Sequence, residues 1–221
     1  MRRHCMILSC LSFIASTAAA PETSTPTATP APWGLEQLMQ QRAQVQTGRV
    51  RFVEVRKMPS MDSTTATNGV LIYQAPDHLE RQTSKPFPER VVVHADRLTI
   101  ETDTASGQRT RREFALKDLP GPRPFFTALR ATLSGDLDAL RRDFVTTFDG
   151  NEDGWRLKLV PRARADQHVR EILMSGKTIQ ILAIDVRERS GDSTHTTMTP
   201  ELSEPEPSPA GIPAPAPTGG S

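Results

Sequence analysis

The sequence has 221 residues, with 27 Lys and Arg against 26 Asp and Glu, and its formal net charge is +1 at pH 7. This length fits one ordinary domain or two small ones. The balance of charge argues against a nucleic-acid-binding protein, which needs a strongly basic face. Both cysteines, Cys5 and Cys10, lie near the N-terminus. The rest of the chain therefore offers no disulfide, thiolate nucleophile or cysteine-based metal site.

Residues 1–20 have the pattern of a cleavable signal peptide. Arg2 and Arg3 precede an apolar segment from Met6 to Ile14, and small residues follow from Ser16 to Ala20. The segment ending at Cys10 also resembles a lipobox, and the arginine pair resembles a twin-arginine signal, but both patterns are incomplete. No later stretch approaches the roughly 20 apolar residues of a membrane helix. We therefore expect an exported, soluble protein located in the periplasm.

Two proline-rich segments flank the central part of the chain. Residues 21–32 and 200–221 combine proline with Thr, Ala, Ser and Gly, a composition that buries too little apolar surface to fold. We interpret the first as a linker and the second as a disordered tail. A proline-rich docking peptide is the alternative, but the tail has no aromatic or basic anchors. Residues 33–199 are thus the expected folded domain.

The folded part begins with an amphipathic helix and continues as a series of strands. Leu35, Leu38, Met39, Arg42 and Val45 recur at helical spacing, and Gly48 ends the pattern. Six β-type segments separated by turn residues then follow, at 49–57, 69–73, 78–84, 90–94, 97–102 and 109–116. Their short spacings predict an antiparallel meander.

Two short helices and a second set of strands complete the pattern. Apolar residues from Phe125 to Leu133 lie on one helical face, and Asp136 is placed to cap a further helix that carries Leu137, Leu140 and Phe144. Five strands are predicted at 144–148, 155–160, 169–175, 178–189 and 194–198, with a tight turn at Ser175-Gly176-Lys177. A sheet of about 11 strands must curl, and the economical packing places the helices in its hollow.

Catalytic and metal-binding signatures are missing from the sequence. His78, His94, His168 and His195 are far apart in the chain, and no GxSxG segment or glycine-rich phosphate loop occurs. We therefore expect no enzyme activity, no cofactor and no metal site. The basic segment with Arg109, Arg111 and Arg112 is interpreted as an exposed strand face, with contact to anionic headgroups as the alternative.

Several segments in order resemble the family of periplasmic lipoprotein carriers named LolA. They are Gly48 to Glu54, GVLIY at 69–73 followed by APDHL at 75–79, the VVVHAD and LTI pair at 91–96 and 98–100, and Trp155 to Pro161. The resemblance implies an α+β fold, an unclosed antiparallel β half-barrel with helices packed as a lid on its concave face. It also implies a monomer that takes acylated lipoprotein or lipid-like cargo from an inner-membrane donor to an outer-membrane acceptor.

One position departs from that family. Its carriers have an arginine directly before the second-strand proline, and that arginine bonds to the lid, whereas this chain has Ala75 before Pro76. The resemblance therefore indicates a divergent member, in which the cargo is a lipoprotein or another acylated ligand. A lipid-sensing or protein-interaction module on the same scaffold, regulating an envelope pathway, remains the alternative.

The residues expected to line the cavity follow from strand alternation and from the resemblance together. Leu71 and Tyr73 share one face of their strand with Ala75, and in the family that face lines the cavity. By extension, the predicted ligand-binding residues are Phe52, Leu71, Tyr73, Leu79, Leu98, Ile100, Phe125, Phe126 and Leu129. Ordinary core packing is the alternative role for each of them.

Overall fold

A computed structural model of the protein describes residues 33–103, 108–118, 123–162 and 168–201. The predicted signal peptide, the predicted linker and residues 202–221 lie outside the described residues. The helices are α1 (Leu35–Arg42), α2 (Arg123–Ser134) and α3 (Leu137–Asp143). The strands are β1 (Thr47–Met58), β2 (Ser63–Gln74), β3 (His78–Lys85), β4 (Glu89–His94), β5 (Arg97–Asp103), β6 (Arg109–Ala115), β7 (Phe144–Asn151), β8 (Gly154–Pro161), β9 (Val169–Lys177), β10 (Gln180–Glu188) and β11 (Ser193–Pro200).

All eleven strands form one antiparallel sheet in the order β6-β5-β4-β3-β2-β1-β11-β10-β9-β8-β7. Strands that follow each other in the chain are paired, except β6 and β7, and β1 also pairs with β11, which joins the two meanders. Within the described residues, β6 and β7 form the two free edges, and the sheet does not close. The predicted half-barrel of about 11 strands, with helices on one face, is confirmed.

The buried face of the sheet is set by side-chain alternation along each strand. In β1, Val50 and Phe52 point to the same face as their partners Leu71 and Gly69 in β2. On the other side of the hollow, Trp155 and Leu157 of β8 are buried with Met174 of β9. The apolar faces of α1, α2 and α3 pack into this hollow and form a single core with the strands.

The α2-α3 connection is held against α1, and it brings the helices together over the sheet. The Asp136 carboxylate accepts a hydrogen bond from the backbone N–H of Ala139 at 2.9 Å, which confirms the predicted cap. Gly135 has φ +72°, and a Cβ atom at this position would lie 2.3 Å from the Met39 carbonyl oxygen of α1. Only glycine permits both this backbone conformation and this close approach. We refer to α1 and α2 together as the lid.

Three local expectations differ from the structure. α1 ends at Arg42, before Val45. Phe144 lies outside α3, but it is the first residue of β7, in agreement with the strand predicted at 144–148. The predicted turn at Ser175-Gly176-Lys177 is wrong, because Gly176 lies within β9 and pairs with both Ile181 and Trp155. A Cβ atom on Gly176 would approach the Trp155 ring to 2.4 Å, so this glycine serves packing, and the turn follows at residues 178 and 179.

Candidate functional site: an apolar cavity beside a buried arginine

A cavity of about 260 Å³ lies between the lid and the concave face of the sheet. Its walls come from helices α1 and α2 and from strands β1, β2, β3, β10 and β11. Most of the lining is apolar, and the residues involved are Arg42, Val45, Thr47, Gly48, Arg49, Val50, Leu71, Tyr73, Leu79, Leu129, Leu133, Ile179, Gln180, Ile181, Met198 and Pro200. No carboxylate is among them.

Cross-strand pairing explains why these side chains meet. Val50 of β1 lies directly opposite Leu71 of β2, and Tyr73 of β2 lies opposite Leu79 of β3, so one face carries an apolar row across three strands. Leu129 and Leu133 stand one helical turn apart on α2 and cover this row from above. The cavity remains because no large side chain comes from Gly48, which pairs with Tyr73.

Arg42 is the one buried cation of α1, and it lines the cavity. Its residue exposure is 7%, and its guanidinium donates to the backbone carbonyls of Leu133 in α2, at 3.1 Å, and of Ile179, at 3.2 Å. Within the described residues, its Nε–H has no hydrogen-bond partner and no carboxylate pairs with it. Burial lowers the pKa of Arg42 below its ordinary value, because it penalises the charged form.

Two more polar groups lie at this end of the hollow. The Tyr73 hydroxyl donates to the Pro76 carbonyl at 3.4 Å, and burial raises the pKa of Tyr73 above its ordinary value. At the cavity margin, Arg49 is half exposed and pairs with Glu201 just beyond β11. Arg42 is therefore the cation that faces the cavity without a counter-ion among the described residues.

A second, more polar cavity of about 470 Å³ lies farther along the concave face. Here the Glu54 carboxylate accepts hydrogen bonds from Arg81 at 2.9 Å and from Thr196 at 3.1 Å. Phe125 and Phe126, at the start of α2, form part of its wall. The hollow is thus apolar beneath Leu129 and Leu133 of α2 and more polar near the start of that helix at residues 125–126.

The predicted ligand-binding residues fall into three groups. Leu71, Tyr73, Leu79 and Leu129 line the apolar cavity, whereas Phe125 and Phe126 line the polar one. The remaining three line neither cavity: Phe52 is buried beneath Arg81, whose guanidinium lies 4.7 Å from the ring centroid, and Leu98 and Ile100 pack into the core.

Sequence reasoning missed several residues of the cavity, above all Arg42. The only signal in the sequence was a charged residue within the otherwise apolar stripe of α1. Leu133, Ile181 and Met198 were also missed as cavity residues, because their role depends on how the two meanders meet at β1 and β11.

The convex face carries charge networks. Glu80 bonds Arg90 at 2.7 Å, and the Arg90 guanidinium holds the pKa of Glu80 at about 2. Arg111 pairs with Glu101 at 3.2 Å and with Glu113 at 2.7 Å, which agrees with an exposed strand face. Arg112 is also exposed, although alternation turns its side chain to the opposite face from Arg111.

Two histidines that are distant in the chain meet on neighbouring parts of the sheet. The His78 and His94 ring centroids are 5.9 Å apart. The His78 ring lies 3.6 Å from the Glu80 carboxylate, and the His94 ring lies 3.4 Å from the Asp77 carboxylate.

Across the described ranges, no group of three or more potential ligands is arranged to hold a metal ion. None of the helices in those ranges has the length and apolarity to span a membrane.

Comparison with known proteins gives one family match. The model of a family described as outer membrane lipoprotein carrier protein LolA-like matches residues 27–204. A LolA superfamily protein from Nitrosomonas europaea has a similar structure, with 8% identity, coverage of 75% of this chain and 91% of that chain, and a TM-score of 0.41. A chain in the Pseudomonas aeruginosa MucA/MucB complex is similar at 13% identity, with coverage of 75% and 56% and a TM-score of 0.41. No curated protein matches the sequence.

Proposed function

The chain belongs to the LolA-like family of outer membrane lipoprotein carrier proteins, and on this premise we propose that it is a periplasmic carrier for acyl chains. Its cargo would be a lipoprotein or another lipidated molecule, received from an inner-membrane donor and passed to an outer-membrane acceptor. The observation that supports this most directly is the apolar cavity of about 260 Å³ beneath the lid. The proposal involves no catalytic step.

The size of the cavity indicates how much hydrocarbon it accepts as it stands. A cavity of about 150 Å³ lined by Leu, Ile and Phe holds benzene. By proportion, about 260 Å³ corresponds to on the order of ten carbon atoms. Enclosing ten methylenes contributes at most about 8 kcal/mol, which corresponds to a Kd of about 1 μM before the costs of association.

A larger acyl anchor needs the lid to move. α1 is held by the Arg42 hydrogen bonds to Leu133 and Ile179, by the contact with Gly135, and by an ion pair between Glu36 and Arg141 of α3. These anchors act together with apolar packing of α1 on the core. Cargo binding must offset the free energy of breaking them, and transfer then runs toward the partner with the higher affinity.

Ala75 leaves this chain without the side-chain bond that a family arginine makes to the lid. Arg42 instead makes side-chain hydrogen bonds that hold the lid, because its guanidinium reaches from α1 to the end of α2 and to the β9-β10 turn. A closed lid is therefore compatible with alanine at position 75.

The test is lipid analysis of the protein purified from the periplasm of its own host. Mass spectrometry of organic extracts is expected to detect acyl species bound to the wild type and not to Leu71→Glu, which places a carboxylate in the cavity wall. Val53→Glu is the matched control, because Val53 lies on the same sheet but is 53% exposed on the outer face. Folded wild-type protein free of acyl species, or equal loading of both variants, would refute the proposal.

A further inference from the structure

The environment of Arg42 indicates more about the ligand than hydrocarbon alone. Its guanidinium is always protonated under physiological conditions, yet it is buried beside aliphatic side chains. The two carbonyl oxygens that it contacts are neutral groups, although the C-terminal end of α2 carries a partial negative charge. No carboxylate among the described residues neutralises the Arg42 guanidinium. A buried charge normally has a counter-ion.

The guanidinium of this cavity-lining residue also keeps unused hydrogen-bonding capacity. It has five N–H donors. One on each terminal nitrogen bonds to a backbone carbonyl, and the buried Nε–H has no partner in the described ranges. A planar fork of donors suits a carboxylate, which accepts two parallel hydrogen bonds. Since the cavity wall contains no acidic side chain, nothing in it opposes the entry of an anion.

We propose that the apolar cavity binds a single-chain amphiphile with a terminal carboxylate, whose head pairs with Arg42 and whose tail lies between α2 and the sheet. This inference rests on the proposed acyl-chain carrier function and names its ligand class. The aliphatic side chains of Val50, Leu71, Leu129 and Leu133 contact the tail, and the cavity volume suits a tail of about ten carbons. An ester-linked acyl chain would bind through the tail contacts alone, without the pairing to Arg42.

The experiment compares two probes of equal chain length, decanoate and 1-decanol, by isothermal titration calorimetry with the delipidated full-length mature protein at neutral pH. We expect decanoate to bind about 10- to 100-fold more tightly than 1-decanol, the range for a hydrogen-bonded charged group. The variant R42M should bring this ratio close to one while 1-decanol still binds. R42K retains the charge but not the fork, so it should lower the ratio several-fold.

The outcomes separate this inference from the carrier proposal. Equal affinities of the wild type for both probes, or an undiminished ratio in R42K, would overturn the role of Arg42 and leave acyl binding intact. If R42M does not fold, the wild-type ratio and R42K still decide the question. R49M is the matched control, because Arg49 borders the cavity but alternation turns its half-exposed side chain to the outer face of β1, where it pairs with Glu201. A loss of preference in R49M alone would reassign the site. If neither probe binds the wild type, the carrier proposal is refuted as well.

Discussion

A larger side chain on the sheet that fills the apolar cavity should weaken ligand binding without lowering the stability of the fold. Val50 lies in the cavity wall on β1, opposite Leu71. Val50→Phe adds about four side-chain carbons and displaces about four methylenes of a bound tail, a loss of about 3 kcal/mol at about 0.8 kcal/mol each. This corresponds to a Kd about 200-fold weaker. Stability should rise instead, by about 0.5 to 2 kcal/mol, as is usual when a cavity is filled.

The measurement uses 1-decanol, a neutral probe whose affinity does not depend on the charge of Arg42. Calorimetric titration gives the Kd, and urea denaturation without ligand gives the free energy of unfolding. Val53→Phe is the matched control on the same strand, because its side chain is on the exposed outer face. It should leave both quantities within about 0.5 kcal/mol of the wild type.

Two results would refute this reasoning. If Val50→Phe is at least as stable as the wild type and binds 1-decanol equally well, the cavity beside β1 is not the acyl site. If Val50→Phe is strongly destabilised, the space is not free for a larger side chain, and the volume argument fails.

Two further predictions concern the lid contact and the convex face. Gly135→Ala should lower the free energy of unfolding by more than about 1 to 3 kcal/mol, the cost of the left-handed conformation alone, because its Cβ would also press on the Met39 carbonyl. Gly191→Ala, with φ +96° but open space around it, is the control, and equal losses in the two variants would contradict the contact. The pKa of Glu80 is about 2 in the folded protein against an ordinary 4.5, so its pairing with Arg90 stabilises the fold above about pH 4.5 and is lost as the pH falls toward 2. Glu80→Gln should therefore cost about 1 to 2 kcal/mol at pH 7, allowing for the half-exposed Arg90, and almost nothing at pH 2; a pH-independent difference in urea denaturation would contradict this.

Much of the fold was readable from the sequence because strands and turns have local signatures. The hairpin from β4 to β5 and the capped start of α3 at Asp136 agree with the structure. Gly176 misled the prediction, because a glycine that makes room for Trp155 has the same local appearance as one that forms a turn. The distinction depends on a residue in another strand.

The candidate site was predictable only in part for the same reason. Leu71 and Tyr73 were assigned correctly to one face of β2, since alternation along a strand follows from backbone geometry alone. Leu98 and Ile100 have equally suitable side chains, but Leu98 is buried in the core, Ile100 is partly buried against it, and neither lines the apolar cavity.

Composition, alternation and helical spacing by themselves determined an antiparallel sheet with an apolar face and a few amphipathic helices to cover it. Tertiary structure decided where space remains between them and which charge faces that space. Arg42 bonds to carbonyls 91 and 137 residues away in the chain, so no local pattern could assign its neighbours. The physical reason is that burial and pairing of a charge are properties of the assembled interior, whereas secondary structure depends mainly on adjacent residues.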